Sequence, residues 1–359
     1  MIRKLADSRF EGLSLWTARL ILLLLAAAML ASLIPASRTV QAPPARTEQD
    51  DSDLILYQAI VKRVQAGESY YSAATKEQRA RNYPLRPFVT VRLPTLANLI
   101  AALGNWGAKA LLLSIWAAAI FAWRARLLPH ASSSASATAA ALLLFASVGP
   151  IMSTHYLTMH EFWAGGLLTL SLGMYRPERW LPSVVAASLA LMMREHVLPF
   201  VLLMMASALW HRRWPEARAW TVAVLGFALL IGAHMHFVTA LTLASDKASP
   251  GWAEFAGISG ALSYFYQGSW FRILPDLWSY PLIILSLFGW LSWRHPLGLM
   301  TSLLLLGYGL MFMMIGRPNT FYWALIVGPL LGMGLIFLRI AIPDLVRTAW
   351  PRQLDLAAR

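Results

Sequence analysis

Carboxylates in the first polar stretch are the side chains best placed for acid–base chemistry. The chain has 17 Asp and Glu among 359 residues, and Asp50, Asp51 and Asp53 stand together in the only long polar stretch, residues 36–93. A carboxylate within hydrogen-bonding distance of a hydroxyl can accept its proton as the oxygen attacks an electrophile. Acidic side chains also stabilise helix N-termini, so that role explains any one of them equally well. Asp51, Ser52 and Asp53 together could instead offer oxygen ligands to a divalent cation.

Arginines at three separate places could bind a phosphate. Arg92 lies in a basic and aromatic stretch, residues 83–94, Arg194 lies in the middle of an apolar segment, and Arg317 lies between two apolar segments. A guanidinium group makes paired hydrogen bonds to phosphate oxygens, and neighbouring rings suit sugars. A belt of side chains anchored at the membrane interface explains the same residues without a substrate.

Other polar side chains near these acids and arginines are candidate substrate contacts. A histidine in a turn also commonly caps a helix, which is the alternative role for His155. The candidates are Tyr57, His155, Glu195, Asn319 and Tyr322.

The composition excludes most soluble functions. Hydrophobic residues make up 58% of the chain and charged residues 13%, and the mean hydropathy is +0.56. The net charge of +13 is not gathered in a soluble basic domain, so no nucleic-acid partner is expected. The absence of cysteine excludes disulfides, a thiolate nucleophile and cysteine-ligated metals. Dinucleotide, P-loop, zinc-protease and nucleophile-elbow motifs are missing too, so an activated substrate must come from the membrane.

Apolar segments long enough to cross a bilayer recur along the chain. A crossing needs about 20 apolar residues. We predict an all-α polytopic membrane protein, one transmembrane domain over residues 1–359, with about eight full spans and a pair of half-length helices. The spans are expected near residues 20–35, 105–123, 133–151, 158–175, 219–240, 277–293, 297–315 and 320–340.

Charge asymmetry predicts the orientation. If the first helix runs outward, the inside connections hold most arginines, as the positive-inside rule requires. The N-terminus is then cytoplasmic, and residues 36–93 and 241–276 form extracytoplasmic loops. Arg317 runs against this bias, which indicates an anionic partner. We expect a bacterial-type inner membrane protein, with removal of the first segment as a secretory signal as the alternative.

Residues 181–210 do not fit a single span. Basic residues flank both ends, and Arg194-Glu195-His196 stands in the middle. Two half-length helices meeting inside the protein fit this pattern, because charge at membrane depth is tolerated when it is buried in protein or faces a watery cavity. One long tilted helix with an internal Arg–Glu pair is the alternative.

The first loop carries an amphipathic helix. Leu54, Tyr57, Val61 and Val64 fall on one stripe, as expected for a helix lying on the membrane surface. Asp51 or Ser52 is expected to cap this helix, and Gly67 is expected to end it.

The arrangement resembles the GT-C superfamily of polytopic glycosyltransferases, which use polyprenyl-phosphate sugars. It is most similar to the glycosyltransferase family 87 type, which includes polyprenyl-phosphate-mannose-dependent mannosyltransferases. The likeness covers about half of the chain, and it lies mainly in the order of the motifs along the chain and in the membrane topology. It is carried by Asp53-Leu54-Ile55-Leu56-Tyr57 with Ala59, Gly67 and Tyr70-Tyr71, by the Pro-rich stretch 83–94, by Arg194-Glu195, and by Arg317-Pro318-Asn319 before Tyr322-Trp323.

The resemblance implies a catalytic Asp in the first loop. In this sequence that residue corresponds to Asp53, with Asp51 as the alternative. As a general base it would accept the proton of an acceptor hydroxyl on the extracytoplasmic side, in an inverting transfer of a sugar such as mannose. Repulsion from neighbouring acids would raise its proton affinity. Arg317, Arg92 and Arg194 are the candidates for the donor phosphate. The acceptor is a glycan, a lipid or a protein, and no cofactor is expected, although a divalent metal stays open.

Two other functions fit the same pattern. A transporter or flippase of a lipid-linked or anionic solute would also use a broken hairpin with buried charges. A non-catalytic partner in envelope assembly is the third possibility.

Overall fold

The chain is helical throughout its regular structure. The computed structural model describes residues 8–41, 48–130, 133–146 and 154–351, and these ranges contain helices and no strand. The helices are α1 (Leu15–Gln41), α2 (Glu48–Gln65), α3 (Tyr70–Ala80), α4 (Thr95–Leu127), α5 (Ser134–Phe145), α6 (His160–Met174), α7 (Leu181–Met193), α8 (Leu198–Trp210), α9 (Trp214–Leu241), α10 (Gly257–Gln267), α11 (Asp276–Ser292), α12 (Pro296–Met314), α13 (Gly328–Gly334) and α14 (Leu338–Ala349).

Five helical stretches of the described chain are long and apolar enough to cross a membrane. They are Leu15–Pro35, Phe88–Leu127, Trp214–Leu241, Pro296–Met314 and Gly328–Ala349. The prediction of an all-α membrane protein is confirmed at this level. Three expected spans correspond to the shorter helices α5, α6 and α11, so the count of eight stays a prediction.

Residue contacts divide the chain into two compact units. The α2–α9 unit comprises Ala45–Ala119 and Val148–Ala253, and the terminal unit comprises Met1–Pro44, Ile120–Ser147 and Glu254–Arg359.

In the α2–α9 unit, α2 and α3 form a helical hairpin with one buried face. α2 buries Leu54, Leu56 and Ile60, which gives it an apolar side. The turn is made by Gly67, whose φ of 91° lies in the left-handed region that glycine adopts without steric cost. The predicted end of α2 is therefore confirmed. Its predicted cap is wrong, because α2 begins at Glu48 and Asp51 and Ser52 lie within its helical residues.

The segment 181–210 is two helices and a break. α7 and α8 each have 13 residues, and a short 3₁₀ turn, Glu195–Val197, separates them. Arg194 leaves the helix with φ −152° and ψ 120°, an extended conformation. A single continuous helix over this segment is excluded.

In the terminal unit, α1 packs against α11 and α14. Ala18, Ala341, Leu345 and Ala349 share a buried cluster with Phe10. α11 and α13 approach so closely that a Cβ on Gly289 would collide with the backbone of Gly334. Small residues at this crossing allow the two backbones to touch.

Candidate functional site

Helix α2 positions the candidate base. Asp53 and Tyr57 are four residues apart and therefore lie on the same side of the helix, one above the other. Both side chains are half-buried. The Oδ1 atom of Asp53 is buried and accepts no hydrogen bond from the described residues. A buried carboxylate oxygen with no partner is available to accept a proton or a hydroxyl hydrogen bond.

Arg92 contacts the same side of α2. Its Nε donates to the Tyr57 hydroxyl at 2.9 Å, and its guanidinium carbon lies 5.8 Å from the centre of the Tyr57 ring. Its backbone carbonyl accepts a hydrogen bond from the Tyr70 hydroxyl at 2.6 Å. The non-helical segment before α4 is thereby fixed against α2 and α3.

Arg194, at the break between α7 and α8, is fully buried and paired with two carboxylates. Its Nε donates to Oε1 of Glu161 at 2.7 Å, and its Nη1 donates to Oε1 of Glu195. Glu195 also contacts Nδ1 of His196 at 3.0 Å. The Nη2 atom of Arg194 is buried and has no partner among the described residues. One donor of this guanidinium is therefore left for another acceptor.

The start of α6 supplies His160 and Glu161, which stand together at a helix start in the sequence but are not among the site residues predicted above. Glu161 holds Arg194, and the His160 ring meets the Tyr57 ring edge-on with 5.3 Å between centroids. His160 Nδ1 is buried without a partner among the described residues. The sequence does indicate a role for Glu161, because an acid at the start of an apolar segment needs a partner for its charge inside the membrane.

Burial controls the acidity of Asp53. Loss of hydration raises the pKa of its carboxyl above the ordinary value, and this is the largest effect. A hydrogen bond from Tyr83 and the charge of Arg92 lower that pKa. The charge of Glu161 raises the pKa and that of Arg194 lowers it. A higher pKa makes a carboxylate a stronger base at the pH where it is still ionised. The predicted effect of neighbouring Asp50 and Asp51 stays a prediction, because their side chains lie outside the described residues.

A narrow pocket opens beside these charges. Most of its lining is apolar, and Thr158 and His160 are polar and each 5% exposed. The lining residues are Tyr57, Ile60, Val61, Tyr70, Leu96, Ala97, Ile100, Thr158 and His160. Tyr57 and His160 join this pocket to the charged cluster.

The structure thus brings together Asp53, Tyr57, Arg92, Arg194 and Glu195 in the α2–α9 unit, as the shared electrostatic effects and contacts show. The cluster holds three carboxylates, those of Asp53, Glu161 and Glu195, and two guanidinium groups. No group of three His, Asp or Glu that could hold a metal ion occurs among the described residues.

The remaining candidates lie elsewhere or outside the described side chains. Arg317 precedes a 3₁₀ segment, Pro318–Ile326, of the terminal unit. Its carbonyl accepts from the Tyr264 hydroxyl at 2.7 Å. Asn319 and Tyr322 follow it and are half-buried. A site shared by Arg317 and Asp53 stays a prediction. Asp51 lies in α2 and His155 in a short 3₁₀ helix, Thr154–Thr158, and nothing is described of either side chain.

No family model, no curated protein and no solved structure matches this chain. The resemblance to the glycosyltransferase family 87 type therefore rests on the motifs quoted above.

Proposed function

We propose that the protein is a membrane glycosyltransferase that moves a sugar from a polyprenyl-phosphate donor to an acceptor hydroxyl. The observation that supports it best is the convergence of Asp53, Arg92 and Arg194 from separate segments of one unit. Among the residues that the structure describes, Asp53 offers a carboxylate oxygen with no partner, and Arg194 keeps one donor with no partner. A base and an anion-binding donor are the two groups that this reaction needs.

In the proposed reaction, Asp53 accepts the proton of the acceptor hydroxyl as its oxygen attacks the anomeric carbon. The new glycosidic C–O bond forms on the face opposite the phosphate, so the anomeric configuration inverts. The bond from the anomeric carbon to the phosphate oxygen breaks, and the electron pair leaves with the polyprenyl phosphate. Arg92 and Nη2 of Arg194 stabilise the negative charge that develops there.

The proposal also places this site on the extracytoplasmic side of a bacterial-type inner membrane. Mannose is the proposed sugar, through the resemblance alone. The pairing of Arg194 with two carboxylates leaves it little net positive charge. Arg92 therefore carries more of the phosphate binding in this mechanism.

Substitution of Asp53 tests the proposal directly. We expect Asp53→Asn to lower the transfer rate at least about 100-fold, because the amide cannot accept a proton. The assay uses purified protein in nanodiscs, a polyprenyl-phosphate-mannose donor labelled in the sugar, and a membrane extract as the source of acceptor. Glu178→Gln, at an exposed loop position, is the matched control and should keep full activity. Full activity of Asp53→Asn in a folded protein would refute the assignment.

The break at Arg194 favours a second candidate, a transporter or flippase of a lipid-linked or anionic solute. Buried charges at an interrupted helix are typical of solute sites in transporters. Flux of a fluorescent lipid-linked sugar across proteoliposomes would measure it. Flux that survives Asp53→Asn, with no sugar transfer by the unmodified protein, would favour transport.

A further inference from the structure

The outer surface of the α2–α3 hairpin carries a concentration of basic side chains that the proposed reaction does not use. These side chains are exposed, whereas the acids among them are buried or half-buried. We call the seven basic residues the basic surface: Lys62, Arg63, Lys76, Arg79, Arg81, Arg86 and Lys247.

Shared acidic partners link three residues of the basic surface, Arg63, Lys76 and Arg81. Glu68 accepts from Lys76 at 2.6 Å and from Arg63 at 3.2 Å. Glu77 pairs with both Arg63 and Arg81. These contacts bring α2 and α3 side chains into one continuous patch.

A second set of contacts joins the loop after α9 to this patch. Arg79 makes two parallel hydrogen bonds to the carboxylate of Asp246, each 2.7 Å long. Arg86 donates to the backbone carbonyl of Asp246 at 2.9 Å, and Lys247 donates to the backbone carbonyl of Asn82 at 3.0 Å. The contacts therefore place six of the side chains on one surface even though the loop is far away in sequence, and Lys62 belongs to it as the exposed neighbour of Arg63 in α2.

The ion pairs do not neutralise this surface. Seven basic side chains meet three acids, Glu68, Glu77 and Asp246, so four positive charges remain. Repulsion within such a patch is relieved when an anionic partner binds.

The position of the patch along the chain indicates what the partner is. Arg86 stands two residues before the apolar stretch Phe88–Leu127, and Lys247 stands six residues after the apolar stretch Trp214–Leu241. Basic side chains at the ends of membrane-crossing helices lie at the level of the lipid headgroups. A soluble polyanion would not need its binding site to lie at the level of the lipid headgroups.

We propose that the basic surface binds the headgroups of anionic lipids. The binding is electrostatic, and it weakens as salt screens the charges. It would hold the α2–α3 hairpin against the bilayer and collect negatively charged lipids beside it. The proposal is independent of sugar transfer and stands if that reaction is not found.

A site-specific measurement can test this, because the chain has no cysteine of its own. Ala66→Cys, at an exposed position between α2 and α3, is labelled with bimane in the otherwise unmodified protein. The labelled protein is reconstituted into nanodiscs of phosphatidylcholine with a fraction of brominated phosphatidylglycerol or, in parallel, of brominated phosphatidylcholine. We expect brominated phosphatidylglycerol to quench the bimane more strongly, and we expect high salt to remove the difference.

Variants then assign the preference to the basic surface. In the labelled background, Lys62→Gln/Arg86→Gln/Lys247→Gln should lower the relative association of phosphatidylglycerol by at least roughly fivefold. Lys62→Arg/Arg86→Lys/Lys247→Arg keeps the charge and should keep the preference. Lys62→Gln alone, at an exposed helix position, should give a smaller loss in the same direction and serves if the triple variant does not fold.

Three results would overturn the proposal. The first is equal quenching by the two brominated lipids in the labelled protein whose basic surface is unchanged. The second is an undiminished preference in the charge-removing variants. The third is loss of the preference on adding inorganic phosphate at constant ionic strength, which would mean a site for free phosphate rather than for a lipid surface.

Discussion

At the scale of single residues, the candidate site depends on how buried charges are paired. Arg194 is fully buried and contacts Glu161 and Glu195, so its charge is compensated where water is absent. Asp53 is half-buried, and one of its oxygens has no hydrogen-bond partner in the described part of the chain, so its charge is not fully compensated. The first arrangement stabilises the fold, and the second leaves a reactive group.

The pH dependence of the proposed reaction should follow the Asp53 carboxyl. Burial raises its pKa, so kcat/KM should fall as the pH drops through a value above that of an ordinary aspartate. Tyr83→Phe removes a hydrogen bond that lowers this pKa, so the acid side of the pH profile should move to higher pH. Tyr71→Phe is the control and should leave the profile in place. An unchanged profile in Tyr83→Phe would mean that another group titrates.

Substitutions in the buried ion pairs between α7 and α8 should lower the unfolding free energy by different amounts. Arg194→Leu removes the guanidinium that both Glu161 and Glu195 contact and should cost about 3–5 kcal/mol of unfolding free energy. Glu161→Gln should cost less, about 1–3 kcal/mol, because Glu195 still pairs with Arg194. Denaturant unfolding of the purified protein measures both. The reverse order would contradict the pairing described here.

At the scale of elements, short interruptions place the polar side chains. The break after α7 positions Arg194, and the non-helical segment before α4 positions Arg92. The turn at Gly67 folds α3 back on α2, where the Tyr70 hydroxyl holds the backbone of Arg92. Most of the site residues thus come from helix ends and breaks, because a continuous apolar helix offers no free polar groups.

The close crossing of α11 and α13 should be sensitive to the size of the side chain at position 289. Gly289→Val places methyl groups against the backbone of Gly334 and should destabilise the protein by about 1–3 kcal/mol or more. Gly226→Val is the matched control, since nothing lies within 4 Å of a Cβ at that helical glycine. Thermal unfolding compares the two. Equal stabilities would show that the helices have room to separate.

At the scale of the whole molecule, a helical membrane protein carries its candidate base and two of its three candidate phosphate-binding arginines in one of two compact units. The α2–α9 unit holds Asp53, Arg92 and Arg194, and the terminal unit holds Arg317. The proposed chemistry uses the base Asp53 and the phosphate contacts Arg92 and Arg194, all of the α2–α9 unit.

The predicted orientation can be measured with single cysteines. Ala66→Cys should react with a membrane-impermeant maleimide in intact cells, because the α2–α3 hairpin is predicted outside. Glu178→Cys, also exposed, should react only after the membrane is opened. Unmodified protein, which has no cysteine, gives the background. The opposite labelling pattern would place Asp53 on the cytoplasmic side.

Local sequence determined the features that depend on neighbouring residues. Apolar length and scarce charge determined an all-α membrane protein, and residue spacing put Asp53 and Tyr57 on one side of a helix. Gly67 ended that helix as expected, and the charges at Arg194 marked a break. The helix start was missed, since α2 begins at Glu48.

Only the tertiary structure decided which charges meet. Glu161 pairs with a residue 33 positions away, and Arg92 meets Tyr57 across 35 positions. The charges of Arg92, Glu161 and Arg194 that shift the pKa of Asp53 also come from residues distant in the chain. Hydration, charge pairing and pKa values depend on all the neighbours of a group in space, and helix packing rather than residue spacing sets those neighbours.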